Sequence, residues 1–167
     1  SSYSWTTFGD SETILALFEQ TSRGNQNASA KDHGAWIQQL DGMFAFALWN
    51  PVNHQLILAR DEMGIKPLIR TRVGDSLLFS SEVKALRAHP EYKPQLDECA
   101  LMARLVWEYP LDATTLFADV HQVRPGTVEV WSLKEGVPVL VDSHRFSNPR
   151  IEPVTAYNES LGAQRLL

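Results

Sequence analysis

Few residues of the types that usually carry chemistry occur in this chain. It holds five histidines, His33, His54, His89, His121 and His144. They follow no H-x-x-x-H or H-x-H spacing and have no neighbouring cysteine, so the sequence predicts no metal site. The single cysteine, Cys99, stands beside Ala100, Leu101 and Met102 in a predicted helix. This setting favours a buried, inert thiol over a nucleophile of lowered pKa.

A compact charged cluster, "RDEMGIKP" at residues 60–67, follows two apolar runs. In such a turn a glycine supplies a positive φ angle and a proline fixes the return to an extended strand. We predict that Gly64 and Pro67 have these roles and that Arg60 forms an ion pair with Asp61. The residue types of this cluster therefore indicate a structural turn.

Residue spacing alone identifies no complete active site. The sequence contains no G-x-S-x-G, no phosphate-binding glycine loop and no G-x-G-x-x-G, which are the usual signals of hydrolases and nucleotide-binding proteins. The stretch "GDSE", residues 9–12, precedes a helical pattern, and Asp10 or Ser11 could cap its first turn.

Composition limits the classes of protein to consider. A chain of 167 residues with 44% hydrophobic content is long enough for one domain with a real core. Its net charge of -5, with dispersed basic residues, argues against nucleic acid as a partner. The chain contains no apolar run of membrane-spanning length and no secretion-signal pattern at its start, so we expect no membrane partner. The single cysteine favours a cytoplasmic location.

The hydrophobic pattern predicts a helix, a loop and four consecutive strands. The helix is at "ETILALFEQ", and "SRGNQNASAKDHG", residues 22–34, indicates a mobile surface loop because it is polar and aperiodic. Two strands, "MFAFALWN" and "QLILARD", flank a polar turn and should pair as an antiparallel hairpin. Two more, "PLIRTRV" and "SLLFSS", are joined by a tight turn at Gly74 and Asp75.

Helices and further strands follow. "SEVKALRAHP" predicts a short helix that ends at Pro90, and "QLDECALMARLVWEY" predicts a second helix capped by Asp97. A turn at Pro125 and Gly126 leads into the strand "TVEVW", and a last strand is expected near "VPVLVD".

Four segments, in this order and spacing, resemble the glutaminase domain of glutamine-dependent asparagine synthetases: "LDGMFAFALWN", "LILARDEMGIKPL", "LLFSSEVKALRAHP" and "TTLFADVHQVRPG". These enzymes are class II glutamine amidotransferases of the N-terminal-nucleophile fold. The resemblance implies an α+β fold, a four-layer αββα sandwich with two antiparallel sheets between helical layers, in which residues 40–80 supply one sheet's core. It also implies a partial type 2 amidotransferase domain at residues 1–143 and, at residues 144–167, a linker toward a synthetase domain.

The resemblance assigns one substrate-binding residue and no catalytic residue. Asp10 matches the family's aspartate that holds the α-ammonium group of the substrate glutamine. A charge-assisted hydrogen bond suits that task because it discriminates against ligands without an ammonium group. The family's nucleophile is an N-terminal cysteine, followed by an arginine and an Asn-Gly pair, and we expect these to precede the first residue of this chain. Cys99 cannot replace that cysteine because an internal residue has no free α-amino base.

The resemblance also implies partners outside this sequence. No "SGGxDS" pyrophosphate loop is present, so ATP and Mg²⁺ are expected only in a covalently linked synthetase domain. A homodimer is a further expected partnership. Two functions stay open: a glutaminase that supplies ammonia for amidation of a carboxylate, and a non-catalytic scaffold as in β-lactam synthetases. Arg60, Asp61 and Lys66 could brace the turn or face the linked domain.

Overall fold

A computed structural model describes residues 3–7, 9–22, 28–109 and 112–148. Its helices are α1 (Asp10–Ser22), α2 (Ala30–Ile37), α3 (Val83–Leu86) and α4 (Glu98–Trp107). Its strands are β1 (Ala45–Asn50), β2 (Gln55–Arg60), β3 (Ile69–Val73), β4 (Ser76–Ser80), β5 (His121–Gln122), β6 (Thr127–Lys134) and β7 (Val137–Arg145). No helix in the described ranges combines the length and the apolar character needed to cross a bilayer.

The strands form two antiparallel sheets, one with the order β1-β2-β6-β7 and one with the order β4-β3-β5. The two predicted hairpins are confirmed, since β1 pairs with β2 and β3 pairs with β4. The prediction that residues 40–80 build one sheet is wrong, because β2 and β3 belong to different sheets. The segment between Arg60 and Ile69 carries the chain from one sheet to the other. A hydrophobic pattern marks strands, but it does not say which sheet each strand joins.

Three apolar clusters define four layers, as predicted. Helices α1 and α2 cover the outer face of the four-stranded sheet through a core that includes Trp36, Ile37, Ile57, Val128, Val130 and Phe146. Leu58, Leu68, Val123 and Trp131 pack between the two sheets. On the far side, Leu86 of α3 packs against Ile69 and Val120. The molecule is therefore an αββα sandwich.

The loop predicted at residues 22–34 is partly wrong, because its second half forms α2. Residues 23–27 lie outside the described ranges. Ser29 and Asp32 form a reciprocal capping box at the helix start. Ala30, His33, Gly34 and Ile37 are buried at helical spacing. On this face only Trp36 and Ile37 are large and apolar, and both lie at its end, so an apolar pattern search misses the start of the helix.

Helix α1 begins at Asp10, whereas a cap at Asp10 would place the first helical residue at Ser11. Asp10 is the first helical residue, and the Glu12 N–H donates to the Gly9 carbonyl at 3.0 Å. Asp10 and Ser11 therefore lie inside the first turn, and Gly9 precedes the helix. An acidic residue in that turn is still favoured by the helix dipole.

Helix α4 is capped as predicted, but its cysteine is exposed. The Asp97 side chain accepts a hydrogen bond from the Ala100 N–H at 2.9 Å. Ala100 is buried, whereas Cys99 and Met102 are exposed. The prediction of a buried Cys99 is therefore wrong. Successive helical residues point about 100° apart, so burial of Ala100 does not bury its neighbour.

The last described strand runs past residue 143, where the resemblance ends the expected amidotransferase domain. The turn at Pro125 and Gly126 leads into β6 as predicted. Strand β7 continues to Arg145, and Phe146 is buried in the outer core. Of the linker expected at residues 144–167, residues 149–167 lie outside the described ranges.

Candidate functional site

The charged cluster at residues 60–67 is held together by Arg60, which is only 7% exposed at the end of β2. Its guanidinium donates to the carbonyls of Lys66 and Gly64, both at 2.7 Å. It also donates to the Val123 carbonyl at 2.9 Å, and so ties the crossover turn to the chain just after β5. A guanidinium presents several N–H donors in a fixed plane, which suits a set of converging carbonyls.

Asp61 holds the same turn through hydrogen bonds to its backbone. Its carboxylate accepts the N–H groups of Ile65 at 2.9 Å and Lys66 at 3.0 Å. Burial disfavours the charged form of Asp61, but hydrogen bonds from the turn's backbone outweigh burial and keep its pKa below the ordinary value. Arg60 and Asp61 thus bond to the backbone, in place of the direct ion pair predicted. Both are structural braces, whereas Lys66 is exposed.

Asp10 lies exposed at the start of α1, on the wall of a cleft of about 320 Å³. Thr13 and Ile14 of α1 share that wall, and residues 39–44 form the rest of the lining. We call this the Asp10 cleft. Asp41 is a second carboxylate on its lining. Two acidic side chains at one cleft favour a ligand with a positive group.

Glu12, two residues beyond Asp10, is only 6% exposed and bonds to the segment that precedes α1. One carboxylate oxygen accepts the N–H and the hydroxyl of Thr6, and the other accepts the N–H and the hydroxyl of Thr7. These bonds, led by that from the Thr7 hydroxyl, lower the pKa of Glu12 to about 2. We call this arrangement the Glu12 clamp.

A second cleft of about 320 Å³ adjoins the Asp10 cleft and shares residues 40–43 with it. Asp61 and Glu62 contribute to its lining. Met43, Met63 and Ile65 line it as well, and each of these side chains is more than half exposed. The shared segment therefore links the Asp10 cleft to the braced turn, and an apolar surface lies beside both.

Another cleft, of about 520 Å³, lies between the sheets and shares no lining residue with the Asp10 cleft. Arg70 and Glu129 meet there at 2.6 Å, and Trp131 Nε1 donates to the same Glu129 oxygen at 3.0 Å. Arg124 and Asp112 form an ion pair on the rim. The charges of this cleft therefore compensate one another, whereas the Asp10 cleft holds two carboxylates.

Sequence reasoning selected Asp10 and missed Glu12 and Asp41. For Glu12 a signal was present, because it is the third residue of α1 and acidic residues there commonly accept N–H groups that precede a helix. For Asp41 no signal exists in the sequence, since only the fold brings it to the cleft that Asp10 lines.

Comparison with solved structures identifies the fold class. The chain is similar to glutamine phosphoribosylpyrophosphate amidotransferase from Bacillus subtilis, solved with ADP and GMP, with a TM-score of 0.51 and 19% identity. The match covers 87% of this chain and 24% of that one. The chain therefore shares the fold of that amidotransferase, the predicted sandwich of N-terminal-nucleophile type. Residues 1–139 match the family model described as a glutamine amidotransferase domain, and the chain belongs to this family.

Curated relatives agree with the predicted resemblance. Asparagine synthetase [glutamine-hydrolyzing] 3 of Bacillus subtilis is 35% identical over 104 residues, which are 62% of this chain and 17% of that protein. Asparagine synthetase [glutamine-hydrolyzing] 1 of the same organism is 34% identical over 125 residues, 75% of this chain and 18% of that protein. The chain spans about a fifth of the length of these relatives.

Proposed function

We propose that this chain acts as the glutaminase domain of an asparagine-synthetase-like enzyme, which hydrolyses glutamine and passes ammonia to an ATP-dependent amidation of a carboxylate. The observation that carries the proposal is the position of Asp10, exposed in a cleft whose lining also holds a second carboxylate, Asp41. The family membership and the asparagine synthetase relatives support the reaction class.

In the proposed role Asp10 accepts a hydrogen bond from the α-ammonium group of glutamine. A carboxylate forms a strong charge-assisted hydrogen bond with an ammonium group, and it binds a ligand that lacks this group only weakly. The resemblance assigns the bond-breaking step to a cysteine thiolate, which attacks the side-chain amide carbon, expels ammonia and forms a γ-glutamyl thioester that water then cleaves. Asp10 orients the substrate for this step and takes no part in proton transfer.

A covalently linked synthetase domain, with its ATP and Mg²⁺, is the proposed partner. Support comes from the exposed apolar surface of Met43, Met63 and Ile65 beside the Asp10 cleft, since such a patch commonly marks an interface. Lys66, exposed in the adjacent turn, is a candidate for the same interface. The homodimer and the cytoplasmic location stay predictions from the resemblance and the single cysteine.

The proposal is tested by Asp10→Asn in the complete protein. Asparagine keeps the shape of the side chain and removes its charge, so recognition of the ammonium group should weaken by roughly 1.5–3 kcal/mol, the range for hydrogen bonds to charged groups. We expect glutamine-dependent turnover to fall at limiting glutamine. Turnover with ammonia in place of glutamine should not change, because ammonia bypasses the cleft.

Three results would contradict the proposal in different ways. If the glutamine reaction is unaffected, Asp10 serves only the helix. If both reactions fall together, the substitution has disturbed the fold. If the unsubstituted protein uses ammonia but never glutamine, the domain is a scaffold, as the alternative reading of the sequence holds.

A further inference from the structure

We infer that Glu12 is a positioning residue for glutamine, which acts through Asp10 by fixing the backbone that presents it. The inference rests on the proposed role of Asp10 in glutamine binding. Glu12 itself is buried and faces the preceding segment, whereas Asp10 is exposed on the cleft. The two carboxylates, two residues apart, therefore have separate tasks.

The Glu12 clamp brings four threonine hydrogen bonds to one carboxylate within a short stretch of chain. The N–H and hydroxyl of Thr6 lie 2.7 and 2.9 Å from one Glu12 oxygen. The N–H and hydroxyl of Thr7 both lie 2.5 Å from the other. Four charge-assisted hydrogen bonds on one side chain hold residues 6 and 7 firmly against the first turn of α1.

These bonds enclose Asp10 on both sides. Further bonds run through Gly9, whose N–H donates to the Thr7 hydroxyl at 3.3 Å and whose carbonyl accepts the Glu12 N–H at 3.0 Å. Asp10 thus stands in a closed ring of hydrogen bonds that runs from Thr6 to Glu12. Since the Asp10 side chain is exposed, the ring acts on it only through the backbone that carries it.

Only an ionised carboxylate satisfies this set of donors. Both backbone N–H groups need an acceptor, and a glutamine side chain offers one oxygen and one NH₂ group, which is itself a donor. The lowered pKa of Glu12 keeps the carboxylate ionised at neutral pH. Glu12→Gln therefore removes part of the clamp with little change in volume.

A double-mutant cycle in the complete protein tests the inference. Glutamine KM and ammonia-dependent turnover are measured for the unsubstituted protein, Glu12→Gln, Asp10→Asn and the double variant. We expect Glu12→Gln to raise the KM for glutamine roughly tenfold while ammonia-dependent turnover stays constant. In the Asp10→Asn background the same change should have little further effect, since residues that act as a unit are not additive.

Matched variants separate positioning from folding. Glu19→Gln removes an exposed acid from the same helix and should leave the glutamine KM unchanged. Thr7→Val removes one hydroxyl donor and should reproduce part of the Glu12→Gln effect. A parallel loss of ammonia-dependent turnover would show that Glu12 is only structural, and full additivity with Asp10→Asn would show that it does not act through Asp10. If Asp10→Asn alone has no effect, the proposed function fails first.

Discussion

Glu12 and Asp61 are both buried acids that accept backbone N–H groups, but they differ in the residues they connect. Glu12 bonds to residues close to it in sequence, whereas Asp61 also bonds to distant ones. The side-chain partners of Glu12 lie five and six residues away, in the segment just before its helix. The Asp61 carboxylate also bonds locally, but the Asp61 backbone accepts the Gly126 N–H and donates to the Phe44 carbonyl, both at 2.8 Å. The first arrangement is local to the start of α1, and the second joins the segment after β2 to the segments before β1 and β6.

This difference predicts where damage should appear. Loss of the Glu12 clamp frees a local segment and leaves the three apolar clusters in place, so the fold should survive. Loss of the brace around Arg60 and Asp61 leaves polar groups at the crossover between the sheets without hydrogen-bond partners. This loss should destabilise the whole domain. The predictions below test this contrast, from the largest expected effect to the smallest.

The largest effect is expected for Arg60→Ala. It leaves the carbonyls of Gly64, Lys66 and Val123 without their donor at a position that is only 7% exposed. We expect the free energy of unfolding to fall by about 4 kcal/mol, measured by urea denaturation, because each unsatisfied buried group costs on the order of 1–3 kcal/mol.

Arg72→Ala is the matched control for Arg60→Ala. Arg72 is exposed on β3, so its loss should change stability by less than about 0.5 kcal/mol. Equal effects of the two substitutions would mean that the brace does not hold the crossover.

The next effect is expected for Gly126→Ala. Gly126 has φ +62, and an added Cβ would lie 2.4 Å from the Ser147 carbonyl oxygen. Gly136 has φ +83 but nothing within 4 Å of such a Cβ. Gly136→Ala therefore shows the backbone strain alone, about 1–2 kcal/mol, and Gly126→Ala should cost roughly 3 kcal/mol because the close contact adds to it. Equal thermal midpoints for the two variants would show that the end of β7 yields to the new methyl group.

The contribution of the Glu12 clamp to the free energy of unfolding should decrease in acid. The folded pKa of Glu12, about 2, lies below the ordinary value of 4.5. The unfolded chain therefore binds the proton more readily between these values, so the clamp stabilises the fold above about pH 4.5 and loses that contribution as the pH falls toward 2. The difference in unfolding free energy between the unsubstituted protein and Glu12→Gln should be constant near neutrality and narrow below pH 4.5. A difference that does not depend on pH would contradict the assigned bonds.

The pKa of Asp61 is shifted in the same direction as that of Glu12. Its contribution to the pH dependence of stability cancels when the unsubstituted protein is compared with Glu12→Gln. The pKa of Asp61 is also lowered, so the stability it provides is lost in acid in both proteins alike. Subtraction of the two pH profiles leaves the part that belongs to Glu12.

The sequence predicted the sandwich well where apolar residues alternate or recur, and less well where small or charged residues form the buried face. The hairpins β1–β2 and β3–β4 follow directly from their patterns and turns. Helix α2 was missed because three of its five buried residues, Ala30, His33 and Gly34, are small or polar. The assignment of strands to sheets depended on the crossover turn, whose hydrogen bonds involve residues more than 60 positions apart.

The candidate site was predictable only in part. Asp10 came from a family resemblance, whereas Asp41 joins it through the packing of residues 39–44 against α1. The Glu12 clamp was within reach of sequence reasoning, because an acidic third residue of a helix is a known capping signal. Its two threonine partners could not be distinguished from surface polar residues without coordinates.

The smallest effect on stability is expected for Cys99→Ala, because Cys99 lies outside both the Glu12 clamp and the brace of Arg60 and Asp61. Cys99 is exposed on α4 and is the chain's single cysteine. We expect the free energy of unfolding to change by less than about 0.5 kcal/mol. The thiol of the folded protein should react with a colorimetric disulfide reagent at a rate close to that in urea. Strong protection of the thiol in the folded state would instead support burial.

The same variant also tests whether any nucleophile in these 167 residues can hydrolyse glutamine. Exposure makes Cys99 accessible, but accessibility does not make a thiol an amidase, because the proposed mechanism needs the α-amino group of an N-terminal residue as base and Cys99 is internal. We therefore expect the purified chain to release no ammonia from glutamine above the rate without protein, with or without Cys99→Ala. Ammonia release that disappears in Cys99→Ala would overturn this conclusion and would place the chemistry on α4, away from Asp10.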